Sequence, residues 1–227
     1  MKVIHVFNIV INDYLHDLEK LYSFLSIQER SKSNSLITPA LRNNYIITRA
    51  VLRSILSNFL KIKQQEIRFL TNPYGKPSVK GRDINFNISH SVNSAYYAIS
   101  VDFEVGIDVE FFDTKKNILG IAKGVFSANE FCHFINLSRD KQQEFFFEAW
   151  TKKEAMIKAL GSGLSYPIKK VDTLNMKSNN CLELLGDQYY LYKLFSTNCY
   201  RAHLVVKNQM NIKINQRLIL PPEVHQY

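Results

Sequence analysis

The stretch Val-Gly-Ile-Asp-Val-Glu, which runs from Val105 to Glu110, decides where the core and the polar face of the fold lie. Successive side chains of a β-strand point to opposite faces. A strand here would turn Val105, Ile107 and Val109 into a core and leave Asp108 and Glu110 together on the other face. Two neighbouring carboxylates repel each other unless one takes a proton or a cation lies between them. Such a pair can hold Mg²⁺, or it can be an ordinary solvated strand face.

A second informative stretch, Trp-Thr-Lys-Lys-Glu-Ala, begins at Trp150 in a segment with helical periodicity. We predict a helix from Glu144 to Leu160, closed by the glycines that follow it. Glu154 and Lys158 lie on one face of this helix, opposite its apolar stripe. As an i,i+4 pair they are by default simple helix support. The functional alternative makes Glu154 a third metal carboxylate and Lys158 a phosphate contact.

Lys153 differs from its neighbours because the same periodicity places it in the middle of the apolar stripe. A buried ammonium is costly unless it is paired. We therefore predict that the Lys153 side chain packs inward and meets a carboxylate or backbone carbonyl groups. Its expected role is to support the site structurally, without binding substrate.

Two further segments carry polar groups that could meet an anion. Phe86 to Ser91 reads FNISHS, and we predict a strand that ends in a hydroxyl-rich turn formed by Ser89, His90 and Ser91. Tyr74 to Pro77, within an Asn-Pro-Tyr-Gly-Lys-Pro loop, offers a glycine backbone and a cation. Each signal is weak alone, since polar strand ends and Pro-Gly loops are common.

The rest of the chain mixes short strands with a few long helices. This order favours an α+β fold over a strict βαβ alternation. The predicted strands are Val3 to Val10, Phe86 to Ile88, Ala95 to Ser100, Tyr189 to Phe195, Arg201 to Val206 and Asn211 to Ile219. The other predicted helices are Leu15 to Leu25, Pro39 to Leu60 and Lys123 to Asn136. We place the boundary between two halves, residues 1–112 and 113–227, just after the strand that carries Asp108.

Composition narrows the class of protein. The 227 residues are 46% hydrophobic and 22% charged, as in ordinary globular proteins, and the net charge of +9 favours an anionic partner. The three cysteines lack metal-ligand spacing and fit reduced thiols. Val3 to Ile11 lacks the features of a signal peptide, and no stretch has the ~20 apolar residues that span a bilayer. We expect a cytoplasmic monomer that binds neither membrane nor nucleic acid.

The four motifs GKP, FNISHS, GIDVE and WTKKEAMIKALGSGL occur in one order between residues 74 and 164. In that order and spacing the chain resembles the Sfp-type phosphopantetheinyl transferases. The shorter holo-acyl-carrier-protein synthases share only the aspartate strand and the Lys-Glu-Ala helix. The resemblance implies a pseudo-dimer of two similar α+β halves, with small antiparallel sheets and a ligand cleft between them.

The resemblance also implies roles for individual residues. It makes Asp108, Glu110 and Glu154 the magnesium ligands, and Lys158 a catalytic contact to the phosphates of coenzyme A. Glu154 is in addition the expected general base. The expected coenzyme A contacts besides Lys158 are Tyr74, Gly75, Lys76, Pro77, Ser89 and His90, with Lys32, Arg49 and Arg53 for the 3′-phosphate. Around Glu29 and Arg30 the match to the family is weaker.

The implied activity is transfer of the 4′-phosphopantetheine arm of coenzyme A to a serine hydroxyl of an acidic apo carrier protein. The carrier could be an acyl, peptidyl or polyketide carrier, and the second product is adenosine 3′,5′-bisphosphate. The competing interpretations are a nucleic-acid-binding module, a metal-dependent phosphodiesterase or nuclease, and a degenerate homologue that binds without catalysis. Three acidic residues at the predicted centre argue against the first, and the intact carboxylate trio argues against the last.

Overall fold

The computed structural model describes residues 2–174 and 181–221. Its strands are β1 (Lys2–Val10), β2 (Phe69–Thr71), β3 (Pro77–Val79), β4 (Asn85–Ser91), β5 (Ser94–Ser100), β6 (Val105–Phe111), β7 (Cys181–Leu184), β8 (Asp187–Lys193), β9 (Tyr200–Lys207) and β10 (Ile212–Leu218). Its α-helices are α1 (Leu18–Phe24), α2 (Ile27–Asn34), α3 (Pro39–Leu60), α4 (Leu119–Val125), α5 (Ala128–Ile135) and α6 (Arg139–Leu160). Short 3₁₀ helices, including Ile11–Asp17, connect several of them. The predicted α+β class is confirmed.

Two four-stranded sheets form the centre of the molecule. The first has the strand order β10-β1-β5-β4 and the second has the order β6-β9-β8-β7. Side chains such as Val6 and Tyr96 of the first sheet share a buried cluster with Ile107 and Leu204 of the second. The other face of the first sheet packs against α3, and the other face of the second sheet packs against α6. The layers therefore run α3, first sheet, second sheet, α6, which buries both faces of β6.

The contact between β6 and α6 is unusually close because of Gly106. A Cβ atom added at Gly106 would lie 2.0 Å from the backbone oxygen of Ala155 and 2.3 Å from the backbone nitrogen of Ala159. Only a residue without a side chain lets the two backbones approach this far. Gly106 thereby brings the acidic face of β6 directly under the helix that carries Glu154 and Lys158.

The long helix Pro39–Leu60 has the bounds that the sequence predicted. The predicted single helix from Lys123 to Asn136 is wrong, since the structure has α4 and α5 in its place. Phe126 takes an extended backbone conformation, and Ser127 and Glu130 form a capping box that starts α5. Such reciprocal capping satisfies the first N–H groups of a new helix and so favours a break at this point.

Other differences concern short elements and strand pairing. The predicted turn at Ser89, His90 and Ser91 is wrong, because these residues continue β4 in register with β5. The pairing of β10 with β1 is parallel, whereas the resemblance implied antiparallel sheets. The sequence reasoning missed α2, β2, β3 and β7, which are all short. Across residues 2–174 and 181–221, no helix is long and apolar enough to cross a membrane.

Candidate active site

The polar face of β6 meets α6 and β4 at one point of the structure, and Asp108 lies at its centre. Ser89 Oγ on β4 donates a hydrogen bond to Asp108 Oδ1 at 2.8 Å. The Lys158 ammonium on α6 donates to the same oxygen at 2.7 Å and to Ser89 Oγ at 3.0 Å. Residues from three separate elements, predicted independently as site residues, thus contact one another.

Asp108 is 3% exposed, and both of its hydrogen bonds described above go to the same carboxylate oxygen, Oδ1. Burial raises the pKa of Asp108 to about 6, against the opposing effect of the Lys158 ammonium. The second carboxylate oxygen, Oδ2, is buried and has no hydrogen-bond partner among the described residues. A buried carboxylate oxygen without a partner is costly, so this atom is suited to accept a donor or a cation.

Glu110 lies two residues farther along β6, and both of its carboxylate oxygens are engaged. The indole Nε1 of Trp150 donates to Oε1 at 3.1 Å, and Ser91 Oγ donates to Oε2 at 3.0 Å. The sequence reasoning gave neither Trp150 nor Ser91 a contact with this carboxylate. Glu110 lies 40 residues from Trp150 and 19 residues from Ser91 along the chain, so spacing alone could not identify these contacts.

Glu154 is half-buried on α6, and it interacts electrostatically with the same cluster. Burial raises the pKa of Glu154, and the Glu110 carboxylate adds to this increase while the Lys158 ammonium opposes it. Partial desolvation and Lys158 both lower the pKa of His90, whose ring lies at the surface. Asp108, Ser89 and Lys158 are therefore in direct contact, whereas Glu110, Glu154 and His90 interact electrostatically with members of this cluster.

The carboxylates of Asp108, Glu110 and Glu154 are not close enough together in this structure to coordinate one metal ion. Within residues 2–174 and 181–221, no group of three His, Cys, Asp or Glu side chains is close enough to hold a metal ion. The Lys158 ammonium supplies the positive charge beside Asp108 in this arrangement. The chemistry of the three carboxylates still fits a hard divalent cation, because such ions take oxygen ligands and Asp108 Oδ2 is unsatisfied.

The segment predicted to contact coenzyme A, Tyr74 to Pro77, connects β2 to the start of β3 and contacts the end of α6. Asn72 Oδ1 accepts from the backbone nitrogens of Tyr74 and Lys76, and Asn72 Nδ2 donates to the Gly161 carbonyl at 2.8 Å. The Lys76 ammonium lies 2.6 Å from Glu104 and 3.3 Å from the Ala159 carbonyl. The loop is thereby fixed beside the helix that carries Lys158.

The three basic residues predicted for the 3′-phosphate have different environments. Arg53 is 1% exposed, and its guanidinium binds Glu29 at 2.6 Å and the backbone carbonyls of Gln64 and Ile67. Arg49 also binds Glu29, at 3.1 Å, with its side chain 21% exposed. Lys32 is exposed on α2. This arrangement favours a structural role for Arg53 and leaves Arg49 and Lys32 within reach of a ligand.

The predicted burial of Lys153 is confirmed. The side chain has no exposed surface, and its ammonium lies 2.6 Å from the equally buried Glu130 carboxylate. It also donates to the backbone carbonyls of Ile168 and Val171. Glu130 in turn accepts from the backbone of Ser127 and from Thr173. Lys153 therefore fastens α6 to α5 and to the segment that follows α6.

Comparison with known proteins gives a consistent result. The model of a family described as the 4′-phosphopantetheinyl transferase superfamily matches residues 104–209. The 4′-phosphopantetheinyl transferase HetI of Nostoc sp. is 31% identical, over 71% of this chain and 70% of its own length. The 4′-phosphopantetheinyl transferase Sfp of Bacillus subtilis is 34% identical, over 66% of each chain.

Among solved structures, the holo-[acyl-carrier-protein] synthase of Thermotoga maritima matches at 23% identity with a TM-score of 0.34. That match covers 47% of this chain and 64% of the other, and it is too weak to support a conclusion. The sequence relatives are sufficient, because HetI exceeds 30% identity over more than two thirds of its length. With the ordered motifs and the cluster around Asp108, they show that the chain belongs to the 4′-phosphopantetheinyl transferase superfamily.

Proposed function

We propose that this chain transfers the 4′-phosphopantetheine arm of coenzyme A to a serine hydroxyl of an apo carrier protein. The observation that carries the proposal is the contact of Ser89, Asp108 and Lys158, with Glu110 and Glu154 beside them. Coenzyme A would lie where β4 of the first sheet meets β6 of the second sheet beside α6. The names of the relatives support this reaction class.

Asp108, Glu110 and Glu154 are the residues that would hold a magnesium ion. The unsatisfied Oδ2 of Asp108 supports this assignment, because a bound cation would meet its need for a partner. When bound, the ion would neutralise charge on the pyrophosphate of coenzyme A.

Cationic and hydroxyl donors on the same surface would bind the phosphates. The Lys158 side chain is 27% exposed, so its ammonium can meet a ligand that enters from solvent. His90 lies next to it on β4 and offers a ring N–H, whereas Ser89 would bind a phosphate by giving up its hydrogen bond to Asp108. Tyr74 to Pro77 would contact the adenine, and Lys32 and Arg49 the 3′-phosphate, with Arg53 holding Glu29 and thereby Arg49 in place.

The reaction is a substitution at phosphorus. The serine oxygen of the carrier forms a bond to the β-phosphorus of coenzyme A, and the bond from that phosphorus to the bridging oxygen breaks. Adenosine 3′,5′-bisphosphate leaves with the electron pair, and Glu154 accepts the serine proton as general base. Glu154 is suited to this role because α6 carries it to the rim of the cluster, where it remains half-buried.

The net charge of +9 supports two anionic partners. Coenzyme A is a polyanion, and an acidic carrier would be attracted by the same excess of positive charge. We expect the protein to act as a monomer, which its elution volume on size exclusion would test. Screening predicts that the association rate with the carrier falls as ionic strength rises.

Intact-mass analysis of apo carriers incubated with coenzyme A and Mg²⁺ tests the proposal. We expect the mass of the 4′-phosphopantetheine arm to appear on at least one acyl, peptidyl or polyketide carrier. Glu154→Ala should abolish the transfer, whereas Glu144→Ala, at a 67% exposed position of the same helix, should not. An unmodified carrier in every case refutes the transfer, and hydrolysis of coenzyme A without a carrier would instead indicate a phosphodiesterase. A fully active Glu154→Ala variant refutes the assignment of the base.

A further inference from the structure

The strand that carries Asp108 and Glu110 is an edge strand of its sheet. It pairs with β9 on one side, and among the described residues no strand pairs with its other side. An edge strand leaves backbone N–H groups that need partners when they are buried. Here side chains of β4 supply them. Asn87 Oδ1 accepts from the Ile107 N–H at 2.8 Å, and Ser91 Oγ accepts from the Phe111 N–H at 3.1 Å.

Three β4 side chains at alternate positions contact β6. Asn87, Ser89 and Ser91 therefore share one face of β4 and form what we call the β4 ladder. Ser89 and Ser91 also donate to the carboxylates of Asp108 and Glu110, two rungs with nearly equal lengths of 2.8 and 3.0 Å. The β4 ladder joins the two sheets by side chains, in place of strand pairing, at the site itself.

Ser91 is the member of the β4 ladder that both accepts from a β6 backbone N–H and donates to a β6 carboxylate. A hydroxyl has one proton to donate, together with lone pairs that accept. Because Ser91 Oγ accepts from the Phe111 N–H, its own proton is available for Glu110 Oε2. Trp150 holds the other oxygen of the same carboxylate. The orientation of the Glu110 carboxylate is thus fixed by two donors, Ser91 from β4 and Trp150 from α6.

We infer that Ser91 is a positioning residue of the active site and that Asn87 supports it by fixing the edge of β6. This inference rests on the proposed function for its effect on catalysis, but its structural part stands on the contacts alone. Partners that orient a metal-binding carboxylate typically change affinity or activity by about 10–100-fold when removed. Loss of the Ser91 hydroxyl would free Glu110 to rotate while leaving the proposed phosphate contacts in place.

Trp150 supplies a direct readout because it is the single tryptophan of the chain and donates to Glu110. We would compare Ser91→Ala with Ser91→Thr, which keeps the hydroxyl, and with Ser94→Ala. Ser94 is the cross-strand neighbour of Ser91, and its hydroxyl donates to the Ile9 carbonyl, away from β6. Trp150 emission is recorded without metal or coenzyme A, and kcat and KM are measured in the transfer assay.

For Ser91→Ala we expect a shifted Trp150 emission maximum and a kcat that is about 10-fold lower. Its KM for coenzyme A should stay within about twofold of wild type, because Ser91 bonds to Glu110 and the Phe111 N–H and to none of the proposed phosphate contacts. Ser91→Thr and Ser94→Ala should match the wild-type emission and rate. An Ser91→Ala emission identical to wild type, or a kcat that falls no further than that of Ser94→Ala, overturns the inference. If the wild-type protein transfers no arm, the proposed function fails, and the emission comparison alone decides the role of Ser91.

Discussion

The ammonium of Lys153 lies 2.6 Å from the carboxylate of Glu130, and neither side chain has any exposed surface. The pair links α6, which carries Glu154 and Lys158, to α5. Burial lowers the pKa of Lys153, and Glu130 opposes that effect. The ion pair is therefore sensitive to the removal of either partner.

Replacement of Lys153 by Met should destabilise the protein by about 3–5 kcal/mol, because it leaves the Glu130 carboxylate buried without its cation. Glu130 would keep its hydrogen bonds from Ser127 and Thr173. Urea unfolding at neutral pH measures the free energy. The double variant Lys153→Met, Glu130→Gln should recover part of the loss, since no unpaired charge then remains. A double variant no more stable than Lys153→Met would show that the pairing of charges is not the cause.

Gly106→Ala should separate β6 from α6. The rate of transfer should then fall by more than the loss of folded protein can explain. The new methyl group would lie 2.0 Å from the Ala155 carbonyl oxygen, so the helix must shift. Overpacking of this kind costs about 1–3 kcal/mol, while the displaced helix moves Lys158 away from Asp108. Gly120→Ala is the matched control, because a Cβ at Gly120 meets no atom of the described part of the chain within 4 Å. Equal rates for both variants would refute the importance of the close approach.

Protonation of Glu29 should lower the free energy of unfolding as the pH falls into the acid range. Burial alone would raise the pKa of Glu29, but the Ser26 N–H and the cations of Arg53 and Arg49 hold it below its usual value of 4.5. Because the pKa is lower in the folded state, the unfolded chain binds the proton at a higher pH than the folded chain does. The stabilisation is therefore complete above pH 4.5 and is lost as the pH falls through the folded-state pKa.

Thermal unfolding between pH 7 and pH 3 measures this effect against a variant. Glu29→Gln keeps a side chain that can form the capping box with Ser26 but carries no titrating charge. It should be less stable than wild type at pH 7, and the difference should shrink as the pH falls. A difference that stays constant over this range would exclude Glu29 as the titrating group.

Asn72→Ala should weaken coenzyme A binding while leaving the core intact. The Asn72 side chain holds the backbone of Tyr74 and Lys76 and ties the loop to the Gly161 carbonyl. Without these bonds, the loop loses its fixed shape beside α6, and we expect a KM for coenzyme A raised by about 10-fold at nearly unchanged kcat. Asn58→Ala, outside this loop, serves as the control in the same transfer kinetics. An unchanged KM would show that the loop does not need this order to bind its ligand.

The sequence by itself determined the elements whose pattern is local and long. The helix Pro39–Leu60 follows from its periodicity and its N-terminal proline. The alternation in Val105 to Glu110 placed three hydrophobic residues in the core, and each is at most 1% exposed. The position of Lys153 in the middle of an apolar stripe likewise predicted its burial against a polar partner, because a buried ammonium is costly unless it is paired. The ordered motifs identified the family.

Only the tertiary structure decided how these pieces meet. It showed that Ser127 starts a new helix, that β10 pairs in parallel with β1, and that β4 meets β6 through side chains. The bonds of Ser89 and Ser91 to the β6 carboxylates join residues 19 positions apart, across two different sheets. No sequence period spans such contacts, because they depend on how the sheets pack and on Gly106 admitting α6. The residue types of the site could be read locally, but their partners were set by the packing of distant elements.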